Sequence, residues 1–296
     1  MWGSVALKAI EDDKVPTLPT ASTRLTVQDA VKAEEQDDDE DGPSAAERAI
    51  IVNTKNELLS LAKLTKRGFD ATNSQKKLAR DLIDTLAKYN PSDEPAAAYY
   101  PSRILKDGEG NIVEATNTTS DMSLVGKWTL IYTDAPDITS LDRSGPFAAA
   151  KLGRIGQECY PPFIKNVIEW TKPDWAKSVP DMFKWGKDDS RVLQKVCCEA
   201  TANKDNPRIV DLQIVGLDLL GFGGTTIEEK EKPQEKAQAL QAGPASYLEE
   251  NPLELRGPLK APFGRFEVLY LDHDIRIIKT SQGFVAVNKR ETVDWF

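Results

Sequence analysis

From Ser44 onward, apolar residues recur with a helical period. In AERAIIVNTKNELLSLAKLTKR, residues 46–67, Leu58, Leu61 and Leu64 fall on one face. Ser44 and Glu47 have the spacing of a capping box, in which hydroxyl and carboxylate satisfy each other's backbone donors. Lys63, Lys66 and Arg67 sit at the cation-favouring end, and Gly68 predicts the stop. SQKKLARDLIDTLAKY, residues 74–89, predicts a second amphipathic helix with Leu78, Leu82, Leu86 and Tyr89 aligned, ending at Asn90-Pro91. Both helices are expected to brace or cover a larger body.

Beyond Leu124 the period falls to two. GKWTLIYT sets Trp128, Leu130 and Tyr132 against Lys127, Thr129 and Thr133. PRIVDLQIVG aligns Val210, Leu212 and Ile214. GRFEVLYLD aligns Phe266, Val268 and Tyr270, and DIRIIKT sets Ile275 and Ile277 opposite Arg276. Further strands are expected at 152–158, 163–170, 190–201, 222–229 and 284–290. About nine short strands separated by turn signals predict a mainly β fold, an antiparallel barrel or sandwich preceded by two helices. One-sided patterning favours a barrel with an apolar interior. Strand parity then places Trp128, Leu130, Tyr132, Leu212, Ile214, Phe266, Val268 and Ile277 on the inner wall, where they either line a ligand space or fill it.

The expected organisation is a disordered acidic segment over 1–43, a two-helix region over 44–91, a connector over 92–121 and a barrel over 122–296. The barrel carries an insert at 170–189 and a polar linker at 229–260. Charge sharpens this picture. The chain of 296 residues has a net charge of -9, and EEQDDDED at 34–41 alone contributes seven acids. The remainder is close to neutral and can approach an anionic membrane without strong repulsion. Acidity argues against nucleic acid as a partner, since phosphate neutralisation needs a basic surface. No apolar run approaches the roughly 18 to 20 residues that span a bilayer. The N-terminus resembles neither a signal peptide nor a transit peptide, so no targeting segment is visible in this chain. Cys159, Cys197 and Cys198 form no disulfide framework, and the adjacent pair should point to opposite strand faces.

Candidate chemistry centres on Asp272, His273, Asp274 and Arg276; His273 is the one histidine present. In a strand, Asp272 and Asp274 could share a face but His273 would oppose them, and no GxSxG-type nucleophile motif accompanies it. LDHD between two strand patterns suits a hairpin turn. No catalytic residues and no metal ligands are therefore assigned. GFGG at 221–224 lacks the lysine and hydroxyl ending of a phosphate loop. The insert interleaves Trp170, Trp175, Phe183 and Trp185 with Lys177 and Lys184. That composition suits a membrane interface or a protein contact, or else aromatics capping the barrel end.

Several stretches together resemble the plastid lipid-associated proteins, or fibrillins, over roughly residues 55–290. These are KNELLSLAKLTKRGF with a second helix closing on YNP, then LVGKWTLIYT, LGRIGQECY, NVIEW and YLDHDIRIIKTSQGFVAVNKR. The resemblance implies a lipocalin-like barrel, non-catalytic and in a plastid, at thylakoid membranes or plastoglobules. It implies a carotenoid, prenylquinone or fatty acid as ligand, with plastid lipids or the membrane surface as partner. The alternative is a peripheral structural subunit of a photosynthetic membrane complex that docks on membrane proteins through the tryptophan-rich insert. Gly126-Lys127-Trp128 is similar to the Gly-x-Trp of a first lipocalin strand, which implies a late arginine packed across Trp128 to close the barrel, Arg290 first and Arg276 second.

Overall fold

A computed structural model describes residues 42–104, 109, 122–143, 150–177, 189–223, 244–257 and 262–293. Two units divide at Ile50. In the first, the described residues are the start of helix α1 (Ala45–Leu64) and its cap. The Ser44 amide donates to Glu47 Oε2 at 2.9 Å and the Glu47 amide donates to Ser44 Oγ at 3.3 Å, completing the expected box.

In the second unit, α1 ends in a left-handed turn at Lys66, Arg67 and Gly68 (φ 47°, 65° and 92°). Only glycine fits the third position, since a Cβ at Gly68 would lie 2.0 Å from the Thr133 carbonyl oxygen. Helix α2 (Asn73–Ala87) starts from a second capping box, Thr72 with Gln75. Short 3₁₀ turns follow at Ala97–Tyr99 and Pro101–Arg103.

The strands are β1 (Gly126–Thr133), β2 (Lys151–Tyr160), β3 (Phe163–Thr171), β4 (Arg191–Ala202), β5 (Ile209–Phe222), β6 (Leu253–Arg256), β7 (Pro262–Leu271), β8 (Ile275–Thr280) and β9 (Val285–Arg290). Short helices α3 (Pro136–Thr139), α4 (Asp174–Lys177) and α5 (Pro244–Glu250) interrupt them. All neighbouring strands are antiparallel, in the order β4-β3-β2-β1-β9-β8-β7-β5-β6. Pairing of β4 with β5 closes eight strands into a barrel, and β6 hangs from the outer half of β5. The mainly β barrel with N-terminal helices matches the fold the alternation predicts.

Two apolar layers hold it together. Inside, Trp128, Cys159, Ile164, Val210, Phe266 and Val268 form one cluster, and Leu130, Leu152 and Ile155 continue it. Outside, Leu58, Ile83 and Leu86 of α1 and α2 pack against Tyr132, Ile277 and Val287 of the barrel wall. Each fully buried aliphatic side chain contributes about 1.5–3 kcal/mol.

Here the inner-wall expectation needs correction. Tyr132 and Ile277 belong to the outer layer beneath the helices, as does Tyr270. Bulges between Leu130 and Tyr132 and between Val268 and Tyr270 reverse strand parity, so the side chains beyond them change face. In β8 the covering helices bury both faces, and Arg276 points inward where Ile277 was expected. The polar stretch 229–260 was expected to be a linker, yet it contains α5 and β6. A Cβ at Gly221 would lie 1.8 Å from the Ala245 carbonyl oxygen, so α5 seats directly on β5. The strand expected at 222–229 is the end of β5 at Phe222, and residues 224–229 lie outside the described ones.

Candidate functional site: the barrel base, the inner chamber and an outer groove

The base is organised on Trp128. Gly126 opens β1 at φ 129°, with Arg290 Nη1 3.0 Å from where its Cβ would stand. Arg290 lies over the indole at 4.2 Å and Arg276 at 4.9 Å, so both candidate arginines meet the ring. The indole N–H donates to the Leu124 carbonyl at 2.8 Å. Arg290 donates to the carbonyls of Val125 and Ser123 at 2.9 and 2.8 Å, and through Nε to His273 at 2.8 Å. It ties the strand ends together.

The Asp272–Arg276 cluster resolves into a hairpin turn. Asp272 Oδ1 accepts the amides of Asp274 and Ile275 at 2.9 and 2.8 Å, and His273 supplies a carbonyl to Arg290. Asp272 Oδ2 pairs with Lys55 and accepts the Tyr270 hydroxyl at 2.7 Å. Burial alone pushes the Asp272 carboxyl up, but bonds from Lys55, Tyr270 and the two amides hold it below the ordinary aspartate range. A folded-state pKa below the unfolded one stabilises above the unfolded value and is lost as pH falls through the folded value. The contribution of Asp272 is therefore complete at neutral pH and declines from about pH 4 downward. Asp272→Asn should cost about 1–3 kcal/mol at pH 7 and flatten the acid limb of stability. Urea unfolding at a series of pH values checks both.

Among the described residues, no group of three or more His, Cys, Asp or Glu side chains is placed to hold a metal. The cysteines are free and buried. Burial pushes Cys198 up to about 12; burial, with Asp218 beside it, pushes Cys197 up to about 11. Neutral thiols of this kind are poor nucleophiles.

Inside the barrel, polar side chains gather at mid-height. Arg276 is completely buried and has no carboxylate partner among the described residues. Its Nη2 donates to Gln157 at 2.5 Å and its Nη1 to Cys159 Sγ at 3.1 Å. Gln157 donates in turn to Asn166 at 2.5 Å. Arg276 Nε and Asn288 Nδ2 are buried donors without a hydrogen-bond partner. Toward α5, the register places Asn166, Val196 and Leu217 side by side, with Ile168, Gln194 and Leu219 above them. These residues keep partial exposure, whereas Trp128, Ile164 and Val268 at the base keep none. The base is packed solid, and the inward-facing side chains of the upper half, the chamber, are less closely covered.

Of the residues expected inside, Trp128, Leu130, Phe266, Val268 and Leu212 belong to the inner clusters. Ile214 stands beside Cys198 at chamber level and is half-buried. Trp170 turns inward and donates its indole N–H to Gln194 at 3.1 Å. Trp175 is half-buried on α4. Lys177 closes α4, but its side chain lies outside the described residues, as do Phe183, Lys184 and Trp185.

An outer groove between α1 and strands β1, β2 and β9 was not expected. Its basic lining comes from positions as far apart as Lys55 and Lys289, a separation that one-dimensional charge patterning does not reveal.

With the barrel described, its relatives can be placed. The PAP_fibrillin family profile matches residues 111–288, more than half of the chain. The chain belongs to the PAP_fibrillin family. No curated protein and no solved structure matches it. The match runs from the segment before β1 to Asn288 in β9, so all of the barrel except the last two residues of β9 falls within it. Family and barrel fold are together consistent with a lipid-associated protein of the plastid.

Proposed function

We propose that this PAP_fibrillin protein is a non-catalytic lipid- or isoprenoid-binding protein, held peripherally at plastid thylakoid membranes or plastoglobules. Its ligand, a carotenoid, prenylquinone or fatty acid, occupies the upper chamber of the barrel. One observation carries the reading: an apolar chamber wall that stays partly exposed above a polar end with unpartnered buried donors on Arg276 and Asn288. Sites of this kind bind by apolar burial and orient by a few polar groups. Burial supplies about 25 cal/mol per Å² before the entropic cost of association.

The test is native mass spectrometry of the full chain after incubation with a thylakoid lipid extract. One prenyl lipid or acyl chain at near one per protein is expected, and Leu217→Trp, which fills the chamber, should abolish it. Retention unchanged in that variant, or no greater than in an unrelated barrel, would overturn the reading. A scaffold role on a photosynthetic membrane complex would then stand in its place.

A further inference from the structure

On the outer wall of the barrel, α1 stands away from β1, β2 and β9 and leaves a groove of about 980 Å³. That is large for a small-molecule site, which typically measures ~300–1,000 Å³. Val52 and Leu59 from the helix and Ile131 from β1 give it an apolar lining. Val52 is 54% exposed.

The rim has the opposite character. Lys55, Lys63, Lys66, Arg67, Arg154 and Lys289 surround the groove, and Asp274 is the one acid in its lining. This is a local inversion in a chain whose net charge is -9. Three of the cations are neutralised: Lys55 by Asp272, Lys66 by Asp70 at 2.7 Å and Arg154 by Glu169 at 3.0 Å. Lys63, Arg67 and Lys289 have no ion-pair partner among the described residues.

Arg67 is also held in place. Its Nη1 donates to the Gly153 carbonyl at 2.9 Å, and its own carbonyl accepts the Thr133 amide at 3.0 Å. Burial lowers its pKa despite the opposing attraction of Asp142, which lies too far off to form an ion pair. A partly desolvated, pre-positioned guanidinium gains most from an anion brought to it. Apolar lining and unneutralised rim together fit a molecule with both a hydrocarbon chain and a negative head.

We propose that this groove binds a single anionic amphiphile from solution, a phosphate, sulfonate or carboxylate head on one hydrocarbon chain. Lys63, Arg67 and Lys289 take the head, and Val52, Leu59 and Ile131 take the chain. The groove is separate from the barrel chamber, and either site can be occupied alone.

Isothermal titration of the full chain below the critical micelle concentration tests this, with dodecyl phosphate, dodecyl maltoside and inorganic phosphate as probes. In the Leu217→Trp variant, whose chamber is filled, dodecyl phosphate should bind near one to one, and far more tightly than either of the others. Lys63→Gln with Lys289→Gln should weaken it roughly tenfold or more, as expected for two charge-assisted contacts. Val52→Glu, a change at an exposed helix position, should weaken it as well. The chain with Leu217 in place should show the same groove affinity, with any further equivalent bound in the chamber, which separates the two sites. Equal binding of inorganic phosphate would reduce the groove to a plain anion site and overturn the proposal. Equal binding of dodecyl maltoside, or affinity lost in Leu217→Trp but kept in the lysine variant, would overturn it too. So would binding confined to phosphatidylglycerol vesicles, which would make the groove a membrane contact.

Discussion

Trp128→Ala should lower the unfolding free energy by about 3–5 kcal/mol, the range for removing a buried aromatic. The indole is fully buried, touches both arginines and donates to Leu124. Truncation leaves a cavity at the closed base, removes the π face shared by two cations at roughly 0.5–2 kcal/mol each, and leaves the Leu124 carbonyl without its donor. Trp128→Phe separates these effects. It keeps a ring between the arginines and loses the N–H bond and some volume, so its cost should be nearer about 1–2 kcal/mol. The shift in urea midpoint at constant m-value is the measurement. A cost under about 1 kcal/mol for the alanine variant would mean that the base is not the packed plug described.

How much of this was legible beforehand follows from what periodicity can carry. The helices were readable because each buries one stripe, signalled by Leu58 and Leu61 in α1 and by Leu82 and Leu86 in α2, although Leu64 and Leu78, expected on the same stripes, stand exposed. Strand β1 was readable up to Leu130 because one face is buried and the other is not. The signal ended where the chain breaks its own period. A one-residue bulge after Leu130 carries Tyr132 to the helical side, and nothing in LIYT marks it. Strand β8 failed for another reason: Ile275, Arg276, Ile277 and Ile278 are all buried, so alternation is absent. With no polar face to read, alternation alone points the arginine outward. The turn at Asp272 was legible because short polar side chains bonding their own backbone are a local effect. The groove was not. Lys63 and Arg67 read as helix-end cations and Lys289 falls in the strand expected at 284–290, and only barrel closure brings β9 beside β1 and α1.

Arg276→Met is expected to separate stability from ligand choice. A guanidinium taken wholly out of water costs several kcal/mol when no opposite charge meets it. Here it meets the Gln157 carbonyl oxygen, the Cys159 sulfur and the Trp128 face, which are all neutral. Methionine has a similar length and no charge, and its thioether packs well against an indole. Replacing a buried ion pair by apolar side chains of similar volume is neutral or stabilising by about 1–4 kcal/mol in known cases, and an unpaired charge has less Coulombic attraction to lose. Stability should therefore hold or rise, a sign opposite to that of Trp128→Ala one contact away. Binding should move the other way. Through Gln157 and Asn166 the arginine polarises the lower end of the chamber, which favours a head that accepts hydrogen bonds or carries negative charge. A fatty acid carboxylate or a quinone carbonyl fits that end; a hydrocarbon carotenoid gains nothing from it. Arg276→Met should accordingly lose fatty acid or prenylquinone by roughly tenfold or more while retaining β-carotene. Paired urea unfolding and ligand titration of the same variant provide the check. A variant that loses stability while binding every ligand as before would make Arg276 a structural strut. Binding in this barrel would then rest on apolar burial alone.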